Sequence, residues 1–165
     1  MINRRHIRVK VMQSVYAMLQ SKSDILDKEE KFLYASIDKM FDLYVLVLRL
    51  FVEVKNMEKN HNKITLKKHL ATSEELNPNT KFIDNAIFKL LEESVSLNNY
   101  LEDKKLNYWQ LDDEYVKKIW KATKESPLYK AYLKSTLSTF QEDKEFIAAL
   151  FKEIIAPNDK LADYF

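Results

Sequence analysis

The 165 residues contain no glycine and no cysteine, and only Pro78, Pro127 and Pro157 interrupt them. Each absence closes off some chemistry. Phosphate cradles and dinucleotide-binding turns need backbone positions that only glycine lets a ligand approach, so a P-loop or Rossmann site is excluded. Tight hairpin turns and strand bulges also lean on glycine, and no stretch sustains period-two alternation, which argues against a sheet. Without cysteine there are no disulfides, no thiol nucleophile and no cysteine-based zinc site, as suits the cytoplasm. Long hydrophobic runs are missing as well. The most apolar, LYVLVLRLFVEV at 43–54, is too short to span a bilayer and carries Arg49 and Glu53, so no membrane role is expected. At the N-terminus Lys10, Gln13 and Gln20 break the apolar part and no small-residue cleavage site follows, unlike an export signal.

What fills the chain is Leu, Lys, Glu, Ala and Met, all good helix formers. The expected fold is therefore all-α, a helical bundle of about six to seven helices with no sheet, in a single unit spanning 1–165. A first helix over 3–20 carries Ile7, Val11, Val15, Met18 and Leu19 as an anchoring stripe, with Asn3 as cap. A second starts after Asp24 or Asp27 and runs from about Lys28 to Lys59. Its core stripe is Phe32, Leu33, Ile37, Met40, Phe41, Tyr44 and Leu48, and it is apolar on all sides around 43–52. From Asn56 to Thr80 periodicity fades into a polar connector, with a short helical turn at Leu66–Leu70. A third helix is expected over Lys81–Asn99, a fourth from Asp112 or Asp113 to Glu125, and a fifth from Ser126-Pro127 to about Ser138. A sixth begins near Gln141 and stops at Pro157, and a last starts at Asn158, where LADYF ends in mid-stripe.

Few constellations suggest catalysis. His6, His61 and His69 are the only histidines, and their spacing matches no metal motif, so neither metal nor cofactor is expected. The pairs Glu29/Glu30, Glu92/Glu93, Asp112/Asp113 and Glu142/Asp143 read as helix-start charges that complement the dipole rather than as an acid–base pair. The chain is not expected to be an enzyme. Tyr108 and Trp109, in the off-stripe NYWQ of 107–110, are read as a stacking surface or, more simply, as a loop packed on the core.

The charge distribution is more informative. The chain holds 27 Lys+Arg against 25 Asp+Glu, so it is nearly balanced. Residues 1–22 nevertheless contain Arg4, Arg5, Arg8, Lys10 and Lys22 and no acid. On a helix turning about 100° per residue, Arg4 and Arg8 fall near the apolar stripe, while Arg5, His6, Lys10 and Gln13 fan over the exposed side. Arginine offers a rigid fork of donors to phosphate oxygens. Gln13 adds a bidentate edge for a base, and Tyr16 a ring for stacking, which together make a toolkit for single-stranded RNA. For Arg8 an ion pair with a neighbouring helix is an equal reading.

The series Arg4-Arg5-x-x-Arg8-x-x-x-Met12-Gln13-x-x-Tyr16 resembles the N-terminal signature of the NusB transcription antitermination family. A weaker similarity lies in DKEFIAALFKEIIAPNDKLADYF, which looks like a helix pair of that family; the two stretches cover about a quarter of the chain. The resemblance divides the chain into a basic N-terminal helix at 1–27, a helical insertion at 28–140 and the start of a second NusB-like part at 141–165. That second part is expected to be cut short before the family's C-terminal half. It implies a non-enzymatic, cytoplasmic protein that binds boxA-type single-stranded RNA during ribosomal RNA transcription. The implied partners are the NusE ribosomal protein and the RNA polymerase complex, with NusE engaging the missing half. The implied RNA contacts are Arg4, Arg5, Arg8, Gln13 and Tyr16; His6 and Lys10 join them on charge. The competing expectation is a helical protein-interaction scaffold whose basic helix docks on an acidic partner, with no role in RNA.

Overall fold

The computed structural model describes residues 3–22, 25–66 and 78–164. Among these the chain is all-α, with nine α-helices, one π-helical turn and no strand. The helices are α1 (Arg4–Ser21), α2 (Leu26–Thr65), α3 (Ala86–Glu93), α4 (Val95–Asp103), α5 (Tyr108–Leu111), α6 (Asp113–Glu125), α7 (Pro127–Lys134), α8 (Phe140–Leu150) and α9 (Asp159–Tyr164). A π-turn, Phe151–Ile155, continues α8. Asp24, His69 and most of the expected turn at Leu66–Leu70 lie outside the described residues.

The chain forms two compact units, Met1–Leu46 and Val47–Phe165, whose boundary lies inside α2. Burial along α2 begins about a turn before the boundary, at Asp42. In the first unit only Ser14, Asp42, Val45 and Leu46 are buried among the described residues. The stripe expected to anchor α1 is largely in solvent: Ile7, Val11, Val15 and Leu19 are all exposed, and Met18 is half-buried. The expected core stripe of α2 fares similarly, with Phe32 and Tyr44 exposed and Leu33, Ile37, Met40, Phe41 and Leu48 half-buried.

The second unit holds the main core. Phe82 sits at its centre, edge-on to Phe88 at 5.0 Å, Tyr129 at 5.3 Å and Phe146 at 5.9 Å, an arrangement that sets ring edges against ring faces. Leu50, Phe51, Val52 and Val54 of α2 are buried in this unit with Val116, Ile119, Leu150 and Ile155. Of the all-round apolar band at 43–52, Val45, Leu46, Leu50, Phe51 and Val52 are buried while Leu43 and Tyr44 are exposed, and burial runs on through Val54, Lys55 and Glu58. Helix α2 also continues to Thr65, through the expected polar connector. Side-chain ties hold the last buried turns of α2: Lys55 pairs with Glu92 at 2.5 Å, and Glu58 accepts hydrogen bonds from Trp120 Nε1 at 2.6 Å and Tyr129 Oη at 3.3 Å. The His61 ring packs on Trp120 at 5.1 Å, so this histidine is a packing residue rather than a free surface group.

The expected third helix is two. Residues 81–84 form a turn, Asn85 caps α3 by accepting from Ile87 N at 2.9 Å, and Ser94 ends α3 and caps α4. Glu92 and Glu93 therefore stand at a helix end, where Lys55 rather than the dipole compensates Glu92. Ser126 and Pro127 start α7 as expected, the Ser126 hydroxyl accepting from Tyr129 N at 3.1 Å. Asp112 precedes α6 without capping it, because its carboxylate accepts the Tyr164 hydroxyl at 2.7 Å. The LADYF stretch does find partners inside this unit: Leu161 is buried, and the Tyr164 ring lies 5.7 Å from Trp109 and 4.5 Å from Tyr115. Trp109 is buried, which settles its place in the core, while Tyr108 is exposed.

Candidate nucleic-acid interface

Helix α1 is built to present charge. The Asn3 side chain accepts from His6 N at 3.1 Å, and His6 Nδ1 faces the Asn3 N–H at 3.5 Å, closing the first turn with two reciprocal bonds. His6 is thus occupied at the helix start, not aimed outward with the arginines. At the other end Lys22 takes a left-handed conformation, φ 51°, and its N–H returns to Leu19 O and Met18 O. Lysine here does what glycine does in most proteins.

Three of the four arginines in the chain lie in the first two turns of α1. At about 100° per residue, Arg4, Arg8, Met12 and Arg5 share one sector of about 100°, with Tyr16 and Val9 at its edge. Arg4, Arg5, Arg8, Val9 and Met12 line one open concavity of about 500 Å³. All five are exposed, and no carboxylate pairs with the three arginines among the described residues. Arg8 therefore stands with Arg4 and Arg5 in solvent. The fourth arginine, Arg49, is held by Glu53 at 2.6 Å in a separate cleft of about 380 Å³.

The seven residues singled out by sequence do not all converge. Arg4, Arg5 and Arg8 do, and Tyr16 follows them about two to three turns on, 63% exposed, with Oη accepting from Gln20 Nε2 at 2.9 Å. Gln13, His6 and Lys10 fall on the far side of the wheel, and Lys10 is half-buried. The expected fan of Arg5, His6, Lys10 and Gln13 is thus not one surface: Arg5 joins Arg4 and Arg8 instead. The concavity also takes in Val9 and Met12, which sequence reasoning does not name as contacts. Their signal was present in the sequence, since positions 5, 9, 12 and 16 repeat at spacings of four and three and form one ridge.

Elsewhere the strongly perturbed groups are structural. Burial, and then hydrogen bonding to carboxylates, raises Tyr129, Tyr132 and Tyr164; Tyr164 is pushed up to about 12. Tyr132 donates to Asp143 Oδ1 at 2.6 Å, and Asp143 Oδ2 accepts from Ala86 N at 2.8 Å, so one carboxylate ties α7 and α8 to the start of α3. Among the described residues no group of three His, Asp or Glu side chains is placed to hold a metal ion, and no helix is long and apolar enough to cross a membrane.

Comparison with protein-family models, curated proteins and solved structures finds no match.

Proposed function

We propose that this chain is an RNA-binding protein, not an enzyme, and that it grips single-stranded RNA through α1 as a transcription antitermination factor of NusB type. The observation that carries the reading is the exposed sector of Arg4, Arg5 and Arg8 on a helix with no acid. Three guanidinium groups that no carboxylate of the described residues pairs with are ready to take phosphate oxygens in bidentate fashion, and each neutralised phosphate releases counterions. Tyr16, its hydroxyl engaged by Gln20, offers a ring on which a base can stack. Gln13, His6 and Lys10 sit apart from that sector and are second to it. The NusB resemblance supplies the finer terms of the proposal: a boxA-like single strand, the NusE ribosomal protein and RNA polymerase as partners, and work in the cytoplasm.

The test is ultraviolet crosslinking of the full chain to a uridine-rich, boxA-like single strand, followed by mapping of the modified peptides. Crosslinks are expected within Arg4–Tyr16. Crosslinks confined to other helices, or none above those of a shuffled duplex, would contradict the proposal.

A further inference from the structure

Met12 is two-thirds exposed, yet it stands in the same concavity as three arginines. An exposed thioether among cations gains nothing from water, and no side chain of the described residues covers it. Val9 lies beside it, one turn back, also exposed at 42%. Along the ridge, Met12 is about 10 Å from Arg5 and about 6 Å from Tyr16 by helical rise. The lining of the concavity is therefore cationic at Arg4, Arg5 and Arg8 and apolar at Val9 and Met12, while Tyr16 adds a ring at the next turn. A nucleotide has the complementary form, with an apolar base face flanked by anionic phosphates.

We infer that Met12, with Val9, forms a platform for one nucleobase beside the arginines that hold the adjoining phosphates. This subsite rests on the RNA reading of α1. The charge of the lining favours an anionic ligand, since the helix carries no acid to repel it. A flexible, polarisable methionine suits a base of any identity, because sulfur meets an aromatic ring favourably without a fixed hydrogen-bond pattern. Met12 acts as a binding residue for the base and leaves the phosphates to the arginines.

The experiment measures binding of the full chain to a twelve-nucleotide boxA-like RNA and to the same ribose–phosphate strand without bases. Wild type binds the base-bearing strand more tightly. Met12→Ala is expected to weaken that strand by about three- to tenfold, to leave the abasic strand and the salt slope unchanged, and to be rescued by Met12→Leu. Because Met12 is exposed, the variant should keep the wild-type circular dichroism spectrum. Equal losses on both strands, or no loss on either, overturn the platform while the RNA reading stands. If poly-glutamate shows the same dependence on Met12, the platform serves a protein and the inference is also overturned. Failure of wild type to bind either strand removes the RNA reading itself.

Discussion

Lys105 shows what a chain without glycine does at a helix end. It stands at φ 53° immediately after the last turn of α4, the Lys105 N–H bonding Glu102 O at 3.1 Å and the Leu106 N–H bonding Leu101 O at 2.9 Å. These two bonds make a Schellman motif, whose left-handed position is usually glycine. A side chain there crowds the backbone at a cost of about 1–2 kcal/mol. Lys105→Gly should therefore stabilise the fold by about 1 kcal/mol, read as a higher denaturant midpoint with an unchanged slope; an unchanged or lower midpoint would show that no strain is held there. At this scale the sequence spoke only in part. The lack of glycine foretold unusual caps, but not which residues would take the left-handed positions, because local sequence does not show where a helix must stop to let Leu106 be buried.

Elements end where tertiary bonds allow. Periodicity located most helix starts, since Asn3, Ser126 and Asn158 carry the capping groups in the sequence itself. It failed at the end of α2, where the polar stretch past Lys59 stays helical with the His61 ring packed on Trp120, a residue 59 positions away, just beyond the point where Trp120, Tyr129 and Lys124 hold Glu58. It failed again at Ser94, because the apolar face runs through the break. The pair Glu142/Asp143 is divided in a way no spacing reveals. Glu142 is held below its usual range by a hydrogen bond with Ser135 and by Lys81, whereas Asp143 leaves its own helix to cap α3. Asp143→Ala removes both the acceptor of the Ala86 N–H, leaving Asn85 as the cap of α3, and the partner of Tyr132, and should cost about 2 kcal/mol; Thr139→Ala, which removes only the cap of α8, should cost about 1 kcal/mol. Chemical denaturation of the two variants side by side checks the order, and a larger loss for Thr139→Ala would reverse it.

On the scale of the whole molecule, the all-α class was legible because composition, missing glycine and helical period agree. Which residues are covered was not. The α1 stripe of Ile7, Val11, Val15 and Leu19 has the pattern of a core face and yet is exposed, since periodicity reports a face and not what lies against it. The candidate site shows the same division. Local charge picked out Arg4, Arg5 and Arg8, but the reading by charge and motif drew in His6, Lys10 and Gln13 and passed over Met12. With 27 bases against 25 acids, the chain as a whole has little pull on a polyanion, so we assign any affinity for RNA to α1. The most direct measurement is the salt dependence of binding to a boxA-like single strand. Arg4→Ala combined with Arg5→Ala should weaken binding and flatten the log–log slope by about 1.4 units, two phosphate contacts on a single strand. A slope equal to that of wild type would contradict the account.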